Sequence, residues 1–284
     1  MVKKATLFDG MLVLLLLLFS AVILYPFLYM LAISLSSSEY IIRGEVTLWP
    51  KGFNLHVYEM VLENVWVLKG YRNTIFYVLL GTFLSLLITS LAAYSLARKG
   101  LLFGKTITLL IVFTMLFNGG MIPTFLVVRS LGLIDTIWAM VLPGAVSAWN
   151  LFVMRTFFQG VPKELEEAGK IDGLGDFGIF VNIILPLTKP VMATIGLFYA
   201  VALWNNYYSA LLYLRNQELF PLQVTIRMLI ETGIIDNSGN ADNMEVDQAV
   251  KFATIIVGTL PIVCAYPFLQ KYFVKGVLIG SVKG

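Results

Sequence analysis

Residues 73–97 read NTIFYVLLGTFLSLLITSLAAYSLA, a stretch without one Asp, Glu, Lys or Arg. A helix rises about 1.5 Å per residue and the hydrocarbon layer is about 30 Å thick, so roughly 20 apolar residues cross a membrane. This stretch is long enough. Five more stretches lack charge in the same way, at residues 10–38, 106–128, 136–154, 190–214 and 252–270. The spacing predicts six transmembrane helices and hence an all-α, polytopic membrane protein. Composition agrees. Across 284 residues only 13% are charged, against about 25% in an ordinary soluble domain. With 58% hydrophobic residues and a mean hydropathy of +0.84, the chain is neither disordered nor a nucleic-acid binder nor a disulfide-stapled module.

Lys and Arg resist translocation, so their placement predicts orientation. Lys3 and Lys4 precede the first span, Arg98, Lys99 and Lys105 fill the second connection, and Lys271, Lys275 and Lys283 follow the last. Both termini are therefore expected in the cytoplasm of a multi-pass cell-membrane protein. Lys3-Lys4 before an apolar run also fits a cleaved signal peptide, but the run continues past Leu31 without a small-x-small exit, which favours a retained anchor. Cys264 is the single cysteine and has no internal disulfide partner.

Two short strings imitate chemistry. Gly100 to Thr106 resembles a phosphate-binding loop but has three residues between its glycines where four are needed, and it follows an apolar helix instead of a strand. Gly173-Leu174-Gly175-Asp176 reproduces the GxGD string of intramembrane aspartyl proteases, yet none of the six runs contains a second carboxylate. One histidine, His56, and one cysteine leave zinc and Ser/His or Cys/His catalysis without parts. No metal or cofactor site is expected on this chain.

The longest connection expected on the inside, residues 155–189, concentrates charge. Residues 162–171, PKELEEAGKI, read as a short helix. Pro162 suits its first position, acids fill its first turn, and Lys163–Glu167 and Glu166–Lys170 are spaced to pair at i,i+4. Asp172-Gly173 then breaks it, and a second helical stretch follows at residues 177–187. Such a segment is apolar enough to need a protein partner.

This segment resembles the permease subunits of binding-protein-dependent ABC importers, whose cytoplasmic signature is EAA, three residues, G, nine residues, then I-x-L-P. Here stand Glu167-Ala168-Gly169, Gly173 and Ile183-x-Leu185-Pro186 at those intervals, with Gly169 for the second Ala as the one departure. The sugar-importing, maltose or oligosaccharide branch is similar at Arg72-Asn73-Thr74, Ala97-Arg98-Lys99 with Phe103-Gly104-Lys105, Asn118 to Pro123, Trp149-Asn150-Leu151 and the C-terminal residues 270–284.

The resemblance implies a type I importer (MetI-like) permease fold. Residues 1–72 would form the first helix and an extracellular loop, and residues 73–284 the transmembrane core, with a coupling helix within about 160–186. Glu166, Glu167, Ala168, Gly169, Asp172 and Gly173, with Lys283 in the tail, would meet an ATPase subunit. The implied partners are a homologous permease in a heterodimer, two ATPases carrying ATP and Mg, an extracellular solute-binding protein, a sugar, and the bilayer. An importer of another solute, or a membrane enzyme or channel, is the alternative.

Trp204-Asn205-Asn206-Tyr207-Tyr208 is an amphipathic cluster within the fifth apolar run. Adjacent amides in lipid are costly unless they face a bundle interior, and aromatic rings beside them offer stacking faces for a pyranose. An interfacial Trp/Tyr belt explains the same residues. The pathway reading is taken for Asn205 and Asn206, with Trp204 and Tyr207 beside them and Asn150 and Asn118 as further candidates.

Overall fold

The computed structural model describes residues 7–98, 100–232 and 248–264, which are helical with no strand among them. The described chain divides into two units, Met1–Leu68 with Thr225–Pro261, and Lys69–Val224 with Ile262–Gly284.

In the first unit α1 (Leu7–Ser34) is 28 residues long, or about 42 Å at 1.5 Å per residue. Pro26 lies inside it without ending it. Nearly every apolar side chain from Leu7 to Leu31 is exposed, and burial begins only at Ala32, Ile33 and Ser34, as expected of a lipid-facing span. Beyond it come α2 (Ser38–Ile42) and α3 (His56–Glu63), where the Ser34 and Tyr58 hydroxyls lie 2.7 Å apart. The 17-residue helix at Gln248–Cys264, here α15, packs on α14 (Leu222–Thr232) through Gly258, where an added Cβ would overlap Ile226 Cδ1.

In the second unit α4 (Val65–Ala97, its first residues belonging to the first unit) is unbroken for 33 residues. It starts earlier than the charge-free run because Lys69 and Arg72 lie beyond the apolar stretch on the same helix. The helices beside it are interrupted. Two descend from the third apolar run, α5 (Gly104–Leu116) and α6 (Met121–Ser130), bent by 119°. The fourth yields α7 (Ile137–Val141) and α8 (Ala148–Gln159), separated around Pro143-Gly144. The fifth yields α12 (Lys189–Trp204) and α13 (Tyr208–Tyr213).

The described residues have the helical character expected above, but their helices do not by themselves show six spans. Two helices, α1 and α4, are long and apolar enough to cross alone, and two bent pairs, α5 with α6 and Asp176–Leu187 with α12, raise the number to four at most among the described residues. Charge-free composition reports apolarity but not backbone continuity. Glycine pairs, Pro-Gly and adjacent amides interrupt helices without adding charge.

A core cluster joins α4 (Ala93, Tyr94), α8 (Met154, Phe158), the segment at Ile179, Phe180 and Ile184, and α12 (Val191, Ile195, Tyr199). The Tyr199 hydroxyl lies 2.8 Å from Thr89 Oγ1 and accepts from the Ser147 N–H at 3.0 Å.

Candidate functional site: the coupling segment and the helix breaks

The segment between α8 and α12 folds as α9 (Lys163–Ile171), a turn, α10 (Asp176–Ile179), one π-helical turn at Phe180–Ile184 and α11 (Leu185–Leu187). Pro162 stands one place before the expected position, in the cap, where its missing N–H leaves no unpaired donor. Gly173 adopts φ +81°. The Leu174 N–H donates to Gly169 O at 2.9 Å and the Gly173 N–H to Lys170 O at 3.1 Å, the paired 6→1 and 5→2 bonds of a Schellman cap. This turn is why a glycine stands there. A Cβ at 173 meets nothing within 4 Å, so within this chain the demand is conformational and not steric.

Gly169 is the opposite case. It is buried, and a Cβ there would lie 2.7 Å from Ile183 Cδ1 and 3.3 Å from Ile179 Cγ1. The departure from the family's second Ala is thus matched by Ile183 filling the space, and the two halves of the signature touch.

Glu167, Ala168 and Asp172 are exposed, as are Ile171 at 87% and Phe177 at 70%. Among the described residues the ion pairs of this segment are not the two expected at i,i+4. Glu166 instead lies 3.7 Å from Arg98, and Asp176 lies 2.5 Å from it. Hydrogen bonding and charge from Arg98, with a smaller contribution from Lys170, hold the Asp176 carboxyl below its ordinary value. A cavity of about 380 Å³ opens between Arg98, Phe158, Lys163, Glu166, Glu167 and Lys170. Lys283 lies outside the described residues.

The six pathway candidates all fall at or within one turn of a helix break. Asn118 lies between α5 and α6, where its Oδ1 accepts the Gly120 N–H at 2.9 Å. Asn150 is buried in the first turn of α8, and its N–H donates to the Ser147 cap. Asn205 caps α12, its Nδ2 donating to Val201 O at 2.9 Å, and Asn206 follows it, half-buried. Trp204 is buried with its ring 6.4 Å from Tyr71, and its Nε1–H has no hydrogen-bond partner among the described residues. Tyr207 is half-buried against Tyr77, Met140 and Ala210.

The α4, α5 and α8 ends near Arg98 lie together, since Arg155 Nε donates to Leu96 O at 3.0 Å and Arg98, Lys105 and Arg155 line one cavity of about 560 Å³. From that end α5, α8 and α12 run 13, 12 and 16 residues to their breaks, roughly 20, 18 and 24 Å. The breaks thus lie at similar distances, within a membrane's thickness. There backbone groups and amides are sustained only by neighbouring protein or a wet cavity.

Sequence reasoning missed a clasp at the other end of α4. Asn73 Nδ2 donates to Glu218 O at 2.7 Å and Phe220 O at 3.0 Å, Tyr77 donates to Leu219 O at 2.7 Å, and the Leu222 N–H donates to Thr74 Oγ1 at 2.8 Å. Lys69 pairs with Glu218 at 2.6 Å. Asp135, at φ +60°, accepts the Arg215 and Asn216 N–H groups at 2.9 and 2.8 Å, and these bonds hold its carboxyl below the usual range. The i, i+4, i+8 spacing of Lys69, Asn73 and Tyr77 was the available sign. It pointed to a shared face without naming what the face holds.

The profile of the family described as "Binding-protein-dependent transport system inner membrane component" matches residues 74–279. The chain is 42% identical to the polygalacturonan/rhamnogalacturonan transport system permease protein YtcP of Bacillus subtilis (strain 168), covering 99% of this chain and 100% of that one. It is 43% identical to Protein LplC of the same organism, over 93% of this chain and 90% of that one. Among solved structures, one chain of a bacterial ABC transporter involved in the import of the acidic polysaccharide alginate superposes with a TM-score of 0.89 at 33% identity. That match covers 96% of this chain and 99% of the other. Matched over most of its length, the chain belongs to the family of binding-protein-dependent transport system inner membrane components.

Proposed function

We propose that this chain forms, with a homologous permease as a heterodimer, the translocation pathway of an ABC importer for oligosaccharide fragments of acidic polysaccharides. It is a permease subunit of a sugar importer and not an enzyme. ATP hydrolysis belongs to a separate ATPase, and a solute-binding protein delivers the cargo. Two ATPases, each binding ATP and Mg, complete the proposed assembly. Each interrupted apolar run serves as one crossing, which restores six with α1, α4 and α15. Both termini then lie in the cytoplasm of a cell-membrane protein, as the distribution of Lys and Arg favours.

One observation carries the reading: the spaced signature folds as α9, a Schellman turn and α10, with Glu167, Ile171 and Phe177 exposed beside it. Full burial of an apolar side chain contributes roughly 1.5–3 kcal/mol, so an ATPase groove that covers Ile171 and Phe177 gains several kcal/mol before ordering costs. Glu166, Glu167, Ala168, Gly169, Asp172 and Gly173 form or support this surface, and Lys283 belongs to it through the tail. Nucleotide-driven closure of the ATPases would displace α9 and move the helices around the breaks at Asn118, Asn150 and Asn205-Asn206. The acidic class is supported by the substrates for which the polygalacturonan and alginate relatives are named, together with apolar runs that hold no carboxylate to repel an anionic sugar.

Uptake by the reconstituted complex, with its binding protein, tests both levels. ATP-dependent accumulation of trigalacturonate over arabinotriose and raffinose is expected. Preference for a neutral sugar would overturn the acidic class. A chain that neither co-purifies with an ATPase nor moves solute in response to ATP would overturn the importer.

A further inference from the structure

Arg98 is the first residue after α4, and its guanidinium reaches both arms of the coupling segment. It lies 3.7 Å from Glu166 on α9 and 2.5 Å from Asp176 at the start of α10, on either side of the Gly173 turn. It also donates to the Tyr94 hydroxyl and stands 4.6 Å from the centroid of that ring. Tyr94 in turn donates to Asp176 O at 3.3 Å and packs on Phe180 at 5.0 Å between centroids. The Arg98 and Glu166 side chains are only 22% and 25% exposed, so that arm of the bracket is less screened than a surface ion pair, whereas the Asp176 arm, 72% exposed, meets solvent.

The segment is joined through the chain to α8 and α12, whose helices break partway along. Of the charge-free runs in the second unit, α4 is the one that continues as a single helix among the described residues, and its far end grips residues 218–222 through Asn73, Thr74 and Tyr77. From Asn73 to Arg98 is about 38 Å at 1.5 Å per residue. A rigid rod held laterally at both ends passes displacement along its axis, whereas a broken helix absorbs it at the break.

We infer that Arg98 is the positioning residue that couples α9 and α10 to α4, making α4 the lever that carries movement of the coupling segment to the 215–222 loop. This rests on the importer reading above. The stretch Ala97-Arg98-Lys99 then does more than mark topology, and Asp176 of the GxGD string has a mechanical role with no proteolytic one.

The test needs no transported sugar. In a Cys264→Ser background, Gln217→Cys carries an environment-sensitive fluorophore, and the full chain is assembled with its partner permease and ATPases in proteoliposomes. ATP with vanadate should change the emission. Arg98→Ala should still assemble and bind ATP, yet lose at least about five-fold of the response, with Arg98→Lys intermediate because an ammonium lacks the planar fork that spans two carboxylates. Asp176→Ala removes one anchor from an exposed position and should give a partial loss; it decides the matter if Arg98→Ala fails to assemble. A role confined to stability would lower assembly or melting temperature and leave the response per assembled complex intact. Full responses in assembled Arg98→Ala, or in Asp176→Ala where that variant decides, overturn the lever and leave the importer standing. A wild-type chain that recruits no ATPase, or responds to no nucleotide, overturns both.

Discussion

Replacing Gly173 separates conformation from contact in the turn between α9 and α10. The residue sits at φ +81°, and a Cβ placed on it would have nothing of its own chain within 4 Å. For an L-residue the left-handed region costs about 1–2 kcal/mol, with Asn penalised less than Ala. Both Schellman bonds can persist, so no further intramolecular loss is expected. A penalty of about 1–2 kcal/mol lowers the population of the correct turn about 5- to 30-fold relative to its alternatives, yet stays below the roughly 5–15 kcal/mol that holds a domain folded. Membrane insertion and helix content should therefore survive in Gly173→Asn, Gly173→Ala and Gly173→Asp. ATP-driven uptake and ATPase co-purification should fall in the order Gly, Asn, Ala, with Gly173→Asp abolishing uptake because it adds a carboxylate to the docking face. If Asn and Ala are equally inactive while both chains remain folded, contact with the ATPase limits the site and the conformational reasoning fails. If all three variants transport normally, the turn is not part of coupling.

Three further outcomes follow from named contacts. Changing Asn205 and Asn206 together to Leu removes the side-chain hydrogen bond to Val201 O but keeps the backbone one from residue 205, a loss of about 1 kcal/mol, and should lower uptake at least about ten-fold while the ATPase still co-purifies; unchanged uptake would place both amides away from the pathway. Asp135 has a depressed pKa, so its stabilisation of residues 215–216 is present above the ordinary carboxylate value of about 3.9 and is lost as pH falls through the lower folded value. Amide exchange at Arg215 and Asn216, corrected for intrinsic rates, should be constant from about pH 8 to 5 and rise only in stronger acid, and Asp135→Asn should abolish that dependence. Gly258→Ala drives a methyl into Ile226 Cδ1 and should destabilise by about 1–3 kcal/mol, with Ile226→Val restoring much of the loss in a thermal melt.

The amino-acid sequence by itself determined the membrane class, the helical character and the helix–turn–helix form of residues 162–187, because each depends on local quantities. Charge-free length sets membrane residence, and the 20-residue signature with its glycine specifies a helix, a left-handed turn and a second helix without help from distant residues. The same residues that were singled out for a pathway, Asn118, Asn150 and Asn205-Asn206, proved to mark interruptions in helices, and only the backbone could show that. Tertiary structure alone decided where Arg98 goes. Its partners Glu166 and Asp176 are more than sixty residues away, and on the chain it is one more positive charge beside Lys99. The clasp of Asn73, Thr74 and Tyr77 on residues 218–222 is likewise a meeting of side chains with backbone carbonyls and an N–H, which every residue but proline offers in full and no local pattern can single out. Which of those groups is within hydrogen-bond reach depends on how the helices pack.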